Sequence, residues 1–355
     1  MKDIEILFIL IKTFGFKFKF VVIILFRILI LMLIKIFSVI DGIFFYKYRK
    51  IKIQNPVFLI GHPRSGTTFL HRFLEKNVKQ FRTMYLWEML FPSIFIRKII
   101  YSFRNKLGKI SLDKVWDPKI HETNFLAAET EDIALFFRYF EGFLSWLYFI
   151  LWKNFKNDAE FLKELEKRCN QDKFVDYLAI IHRKNLFITN SRMFSKSFAL
   201  IFNIDTILNK FPDAKILIMI RNPIEAIASF LSLETKAQIK LNGFDKLPTI
   251  EQERYCKGII KTSYAYFKKV KEVIERKDDR IMMITYESLL NNFEQTIKKV
   301  LKHYNVEIND EIYYAIKYQE EKQKTYKSEH IYNLNDYGVT EEEIKEKFEF
   351  IYKYL

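Results

Sequence analysis

The chain has 355 residues, enough for one large domain or two modest ones, and its 50% hydrophobic and 17% aromatic content excludes a disordered chain. A formal charge of +15 and a sequence pI of about 9.4 favour anionic partners, namely a nucleotide, a membrane surface or a nucleic acid. The sequence has no zinc-finger spacing and no basic recognition helix, which sets nucleic acid aside; Cys169 and Cys256 alone make neither a disulfide framework nor a metal site.

Residues 4–46 are far more apolar than the rest. Their polar exceptions are Glu5, Lys12, Thr13, Lys17, Lys19, Arg27, Lys35, Ser38 and Asp41. On a helical wheel these fall within an arc of roughly 160°. The pattern predicts an amphipathic helix, broken near Gly15, lying in a membrane interface with its charged stripe toward water. Arg27 interrupts the best apolar stretch and Lys35 ends it, so a peripheral, monotopic helix is expected rather than a span. The alternative is a helix docked on the body of its own domain or on a partner subunit. No small-residue cleavage site follows, unlike a signal peptide. Basic residues at both ends leave orientation and compartment open. Composition changes at Asn55-Pro56, dividing a segment 1–50 from a domain 51–355.

That domain opens with a short apolar run of strand type, Pro56-Val57-Phe58-Leu59-Ile60. The loop Gly61-His62-Pro63-Arg64-Ser65-Gly66-Thr67-Thr68 follows, and then helical spacing from Phe69 to Leu74. Strand, glycine-bearing loop and helix N-terminus together form an anion cradle. Gly61 and Gly66 flank four residues, nearly the Walker A spacing, but Thr67 stands where a nucleotide kinase needs lysine. Arg64 brings the cation inside the loop instead, and its planar guanidinium suits phosphate or sulfate. His62 and His71 flank the cradle, each as apt to pack as to react.

Further along, Ile216-Leu217-Ile218-Met219-Ile220 reads as a second buried strand. Arg221 ends it, Pro223 starts a helix, and Ser229 lies two turns along, so that guanidinium and hydroxyl together would suit one phosphate. Phe125 to Lys153 reads as a long aromatic helical stretch, either ordinary core, the lining of an apolar pocket or a second membrane-contacting surface. Asp158 to Lys184 reads as a covering helix pair, and Ile281 to Thr285 as a further strand. Thr340 with Glu343 reads as a capping box. Strands alternating with helices predict an α/β fold with a parallel sheet and ligands at the carboxyl ends of its strands.

The run Pro63-Arg64-Ser65-Gly66-Thr67-Thr68 resembles the 5′-phosphosulfate loop of the sulfotransferase superfamily. The wider Pro56 to His71 run is similar to the diverse branch related to the tyrosylprotein and carbohydrate enzymes. The resemblance implies a P-loop-like three-layer fold and 3′-phosphoadenosine 5′-phosphosulfate (PAPS) as donor. It implies transfer to an acceptor hydroxyl on a lipid, sterol or carbohydrate, without a metal. Arg64, Ser65, Gly66, Thr67 and Thr68 would then hold the 5′ end, with Arg221 and Ser229 on the 3′-phosphate. Lys327 and Ser328, in a C-terminal stretch that also matches, are further 3′-phosphate candidates. Lys196, in Phe194-Ser195-Lys196-Ser197-Phe198, joins Arg64 as the expected cation at the leaving group. Phe198 stands where the cytosolic branch keeps its base histidine, leaving Glu88 and His121 as candidate bases. The competing readings are a P-loop nucleoside or nucleotide kinase and a catalytically degenerate, membrane-tethered nucleotide-binding protein.

Overall fold

In the computed structural model, which describes residues 2–101, 123–189, 191–324 and 333–355, two helices precede the sheet: α1 (Lys2–Phe14) and α2 (Phe18–Phe44). The chain then runs β1 (Val57–Gly61), α3 (Thr67–Asn77), β2 (Phe81–Arg82), α4 (Leu86–Leu90), α5 (Ile94–Tyr101), α6 (Asp132–Tyr139) and α7 (Gly142–Tyr148). Next come α8 (Asp158–Cys169), α9 (Asp172–Thr189), β3 (Arg192–Lys196), α10 (Ile204–Lys210), β4 (Lys215–Ile220), α11 (Pro223–Asn242) and α12 (Thr249–Glu275). β5 (Ile281–Thr285), α13 (Tyr286–Asn291), α14 (Phe293–His303), α15 (Asp310–Lys324), α16 (Glu341–Lys347) and α17 (Glu349–Tyr352) complete it.

The strands form one sheet in the order β2-β3-β1-β4-β5, all parallel. Alternate residues of the central strands serve opposite faces. Phe58, Ile60, Ile216 and Ile218 pack with Trp146, Phe230 and Ile259 on one side. Val57, Leu59, Leu217 and Met219 pack with Leu70, Leu74, Ile297 and Leu301 on the other. Helices cover both faces, which is why these strands read as continuous apolar runs rather than alternating ones. The expected three-layer α/β architecture is present. Because the chain leaves β1 for one side of the sheet and later crosses to β4 on the other, the carboxyl ends of β1, β3 and β4 enclose a topological switch point.

The aromatic stretch Phe125 to Lys153 departs from the expected single helix. Phe140 (φ +53°) and Gly142 (φ +81°) break it, and the two halves meet at 73°. The capping box is formed: Thr340 Oγ1 accepts from the Glu343 N–H at 3.2 Å, and a Glu343 carboxylate oxygen accepts from the Thr340 N–H at 2.8 Å. Thr340→Ala is therefore expected to cost about 1 kcal/mol, read as a lower urea midpoint at unchanged slope.

The N-terminal stripe corrects the orientation expected from its sequence. Arg27 and Asp41 are buried against the body rather than turned to water. Asp41 accepts from the Ile94 and Phe95 N–H groups and the Ser93 hydroxyl, each at 3.0 Å, and pairs with Lys184 at 2.9 Å. Arg27 pairs with Asp3 and lies over the Phe140 ring, and Glu5 pairs with Arg168 at 2.7 Å. A buried charge left without a partner costs more than any surface pair returns, so the ion-pairing positions seek the protein and the apolar ones are left outside. α2 is long and apolar enough to cross a membrane by length and composition.

Candidate active site

β1 ends at Gly61, and the backbone of residues 62–66 turns back so that α3 opens at Thr67. The Ser65 N–H and hydroxyl both donate to the His62 carbonyl, at 3.1 and 2.6 Å, closing the turn. Arg64 takes φ +71° and Gly66 φ +86°. A Cβ on Gly66 would lie 2.6 Å from the Tyr286 ring. Alanine there meets both a left-handed backbone and a hard ring, so Gly66→Ala is expected to cost roughly 1–3 kcal/mol of stability, read as a lower urea midpoint.

The two sites inferred separately from sequence meet here. Arg64 Nε donates to Ser229 Oγ at 3.0 Å across 165 positions of sequence, and an Arg221 N–H donates to the Arg64 carbonyl at 3.1 Å. Arg221 also pairs with Glu225 at 2.6 Å and lies over the Tyr286 ring at 4.4 Å. Asn222 caps α11 by accepting from the Ile224 N–H at 3.0 Å, with Pro223 in the first turn, which aims that helix N-terminus at the cradle.

Lys196 ends β3, opposite Leu59 of β1, and its ammonium donates to Thr68 Oγ1 at 2.8 Å. Thus the cation missing from the Walker position of the loop arrives from the neighbouring strand. Lys196 is 1% exposed. Burial pushes its ammonium down to about 8, and Glu129 opposes that shift. Glu129, also buried, accepts from Arg72 at 2.9 Å and from the Thr123 hydroxyl at 2.7 Å.

A cleft runs from this cradle into apolar surroundings. Arg64, Thr67, Thr68, Glu129, Lys196 and Arg221 line one end; Leu144, Leu147, Tyr148, Phe230, Leu233 and Glu234 line the other. The aromatic stretch thus serves two of its expected uses, with Leu144 and Tyr148 on the cleft and Phe143 and Trp146 in the core. Burial pushes the Glu234 carboxyl up to about 8, and its Oε2 has no hydrogen-bond partner.

Of the residues singled out from sequence, Arg64, Gly66, Thr67, Thr68, Lys196 and Arg221 line one cleft, with Ser65 inside the loop and Ser229 on Arg64. The structure does not bring Glu88 to it. That carboxylate is buried between Arg82 at 2.5 Å and Arg97 at 3.8 Å, and its other oxygen accepts from the Tyr85 N–H at 3.0 Å. His121, Lys327 and Ser328 lie outside the described residues. His62 packs flat on Phe267 and contacts Ser263 Oγ at 2.9 Å; burial pushes its imidazole down to about 3. His71 contacts Thr83 Oγ1 at 2.7 Å and is likewise neutral, pushed well below its ordinary range by burial and then by Lys196. Sequence reasoning assigned no site role to Glu129, Arg72, Tyr286 or Glu234. Glu129 had a signal, since it heads the acidic run Glu129-Thr130-Glu131-Asp132. Its neighbours are structural: Glu131 takes His182 at 2.8 Å and Ser195 at 2.5 Å, and Asp132 accepts from the Phe198 and Ala199 N–H groups.

A sequence profile of the sulfotransferase family matches residues 56–310. No curated protein matches the chain in sequence. Among solved structures, the fold is similar to that of sulfotransferase STF9 from Mycobacterium avium, with TM-score 0.69 and 15% identity over 89% of this chain and 80% of that one. It is also similar to sulfotransferase STF1 from Mycobacterium tuberculosis H37Rv, with TM-score 0.64 and 18% identity over 88% and 81% of the two chains. At such identities the likeness concerns the fold.

Proposed function

The chain belongs to the sulfotransferase family, and from that premise we propose that it moves a sulfuryl group from PAPS to an acceptor hydroxyl by metal-independent, in-line transfer. The observation that carries this reading is the meeting of Arg64, Lys196, Arg221 and Ser229 at the ends of three adjacent strands. Two phosphate subsites on one cradle fit a nucleotide with phosphates on both sides of its ribose.

In this reading the loop amides, Arg64 and Lys196 hold the 5′ end and neutralise charge on the departing oxygen, while Arg221 and Ser229 hold the 3′-phosphate. The acceptor oxygen forms its bond to sulfur as the sulfur–phosphate oxygen bond breaks, and its proton passes to Glu129, which Arg72 positions. The apolar half of the cleft supports a lipid or sterol acceptor over a carbohydrate. The reading takes residues 51–355 as the transferase unit and residues 1–50 as its attachment, peripheral rather than spanning, to a membrane surface.

The test is calorimetric titration with adenosine 3′,5′-bisphosphate, beside ATP with magnesium. Tight binding without magnesium is expected, and Arg64→Ala and Arg221→Ala are each expected to lose about 1.5–3 kcal/mol, tenfold or more in affinity. Preference for magnesium-ATP would return the kinase reading. Tight bisphosphate binding with no turnover across a panel of apolar and sugar alcohols would return the degenerate one.

A further inference from the structure

α2 presents an unusual division of its surface. Only 28% of its most apolar window is buried. Leu25, Phe26, Met32, Val39, Ile43 and Phe44 are each more than half exposed. Two of its charged positions are held against the body, Arg27 on Asp3 and Phe140 and Asp41 on Lys184 and the start of α5, whereas Lys19 and Lys35 are exposed. α5 widens the same side, where Phe95 stacks on Phe37 at 6.1 Å and Ile99 and Tyr101 are exposed.

The charges are sorted by sign. Through residue 50, every exposed charged side chain is basic: Lys12, Lys19, Lys35, Lys47, Arg49 and Lys50. Every acidic one is ion-paired, Asp3 with Arg27, Glu5 with Arg168 and the buried Asp41 with Lys184.

We propose that α1 and α2 form an in-plane seat for an anionic lipid leaflet, with the apolar face of α2 sunk among the acyl chains and the basic rim on the headgroups. This rests on the membrane reading above and gives it a geometry and a lipid chemistry. A leaflet fits the apolar face, and acidic headgroups complement the rim. A second copy of the chain fits less well, because a twofold pairing of this face brings one basic rim against another. A perpendicular span is opposed by the inward contacts, since crossing would detach Asp41 and Arg27 from their partners and place both in hydrocarbon.

The seat is tested on the full chain. Both native cysteines are buried, so a fluorophore can be placed on Val22→Cys, Leu29→Cys, Ile36→Cys or Ile43→Cys, four exposed positions on one face of α2. With vesicles of phosphatidylcholine plus phosphatidylserine, depth-dependent quenching is expected to put all four at one shallow level, roughly 5–10 Å into the interface. Affinity is expected to fall tenfold or more without phosphatidylserine or in high salt. A profile with Leu29→Cys and Ile36→Cys deep and the ends shallow would overturn the in-plane geometry. Equal binding to neutral vesicles would overturn the charge complement. A dimer in vesicle-free buffer that shields the four labels, with no vesicle binding, would give the face to a second copy. The double variant Leu25→Glu/Phe26→Glu is expected to release the protein from vesicles while keeping its helical content and bisphosphate affinity. Vesicle and bisphosphate binding are read separately: loss of the second alone would sink the transferase reading and leave the seat standing.

Discussion

Glu129→Gln is expected to lower kcat by about 10²–10⁴, the range a positioned general base supplies, while leaving bisphosphate affinity within about twofold. Among the described residues, Glu129 and Glu234 are the two carboxyl groups that line the cleft. Glu129 stands within electrostatic reach of Lys196, which itself touches Thr68 of the phosphate loop. In the proposed transfer this puts it beside the acceptor oxygen. Glu234 stands among Tyr148, Phe230 and Leu233, next to Tyr255. Because burial pushes the Glu234 carboxyl up, a neutral acid at that end fits acceptor recognition and not proton removal. Steady-state rates and calorimetry on Glu129→Gln, Glu234→Gln and Glu88→Gln separate the roles. The first is expected to lose kcat alone, and the second to change KM for the acceptor. The third is expected to lose stability, because Arg82 and Arg97 would face a neutral group in a buried site. A fall in kcat for Glu88→Gln with Glu129→Gln unimpaired would move the base back to Glu88.

What was legible in the sequence follows from how local each signal is. The loop at Gly61 to Thr68 and the strand-end pair Arg221 and Ser229 are short, contiguous patterns, and the sheet brings them together because β1 and β4 are neighbours. The strands were equally plain, since a parallel sheet covered on both faces leaves an unbroken apolar run. Glu129 was harder. It lies on none of the strands that build the cradle, and its position beside Lys196 depends on the packing of the segment around α6, visible only in three dimensions. Glu88 shows the reverse case: sequence placed a carboxylate near the right helix, but two arginines and a backbone amide claim its oxygens. The N-terminal stripe misled for a different reason. A helical wheel reveals that polar residues share a face, but carries no information on which side of the helix the protein lies. Arg27 and Asp41 found partners on the body, so the amphipathic pattern was right and its sense inverted.

Donor affinity of the wild-type protein is expected to fall as pH rises through about 8, and Lys196→Met is expected to remove that dependence together with about tenfold or more of the affinity at neutral pH. The sign follows from burial. Desolvation makes the ammonium give up its proton near 8, so below that value the cradle holds a cation and above it a neutral amine. A bound 5′-phosphate favours the charged form and raises its pKa, so binding takes up a proton and weakens with pH between the free and bound values. Folding runs the other way. The unfolded lysine, near its ordinary 10.5, holds its proton more tightly than the folded one. This residue's contribution to the stability of the free protein therefore rises with pH between about 8 and 10.5. Opposite pH slopes for stability and donor affinity, both flattened in Lys196→Met, would trace the two effects to one ammonium. Lys196→Arg keeps a charge at every accessible pH, and its affinity is expected to be flat across the same range. If the wild-type slope survives in Lys196→Met, another group carries it and the cation at the leaving oxygen is not Lys196. Calorimetric titrations with adenosine 3′,5′-bisphosphate and thermal unfolding, on the three proteins at matched ionic strength, give both slopes.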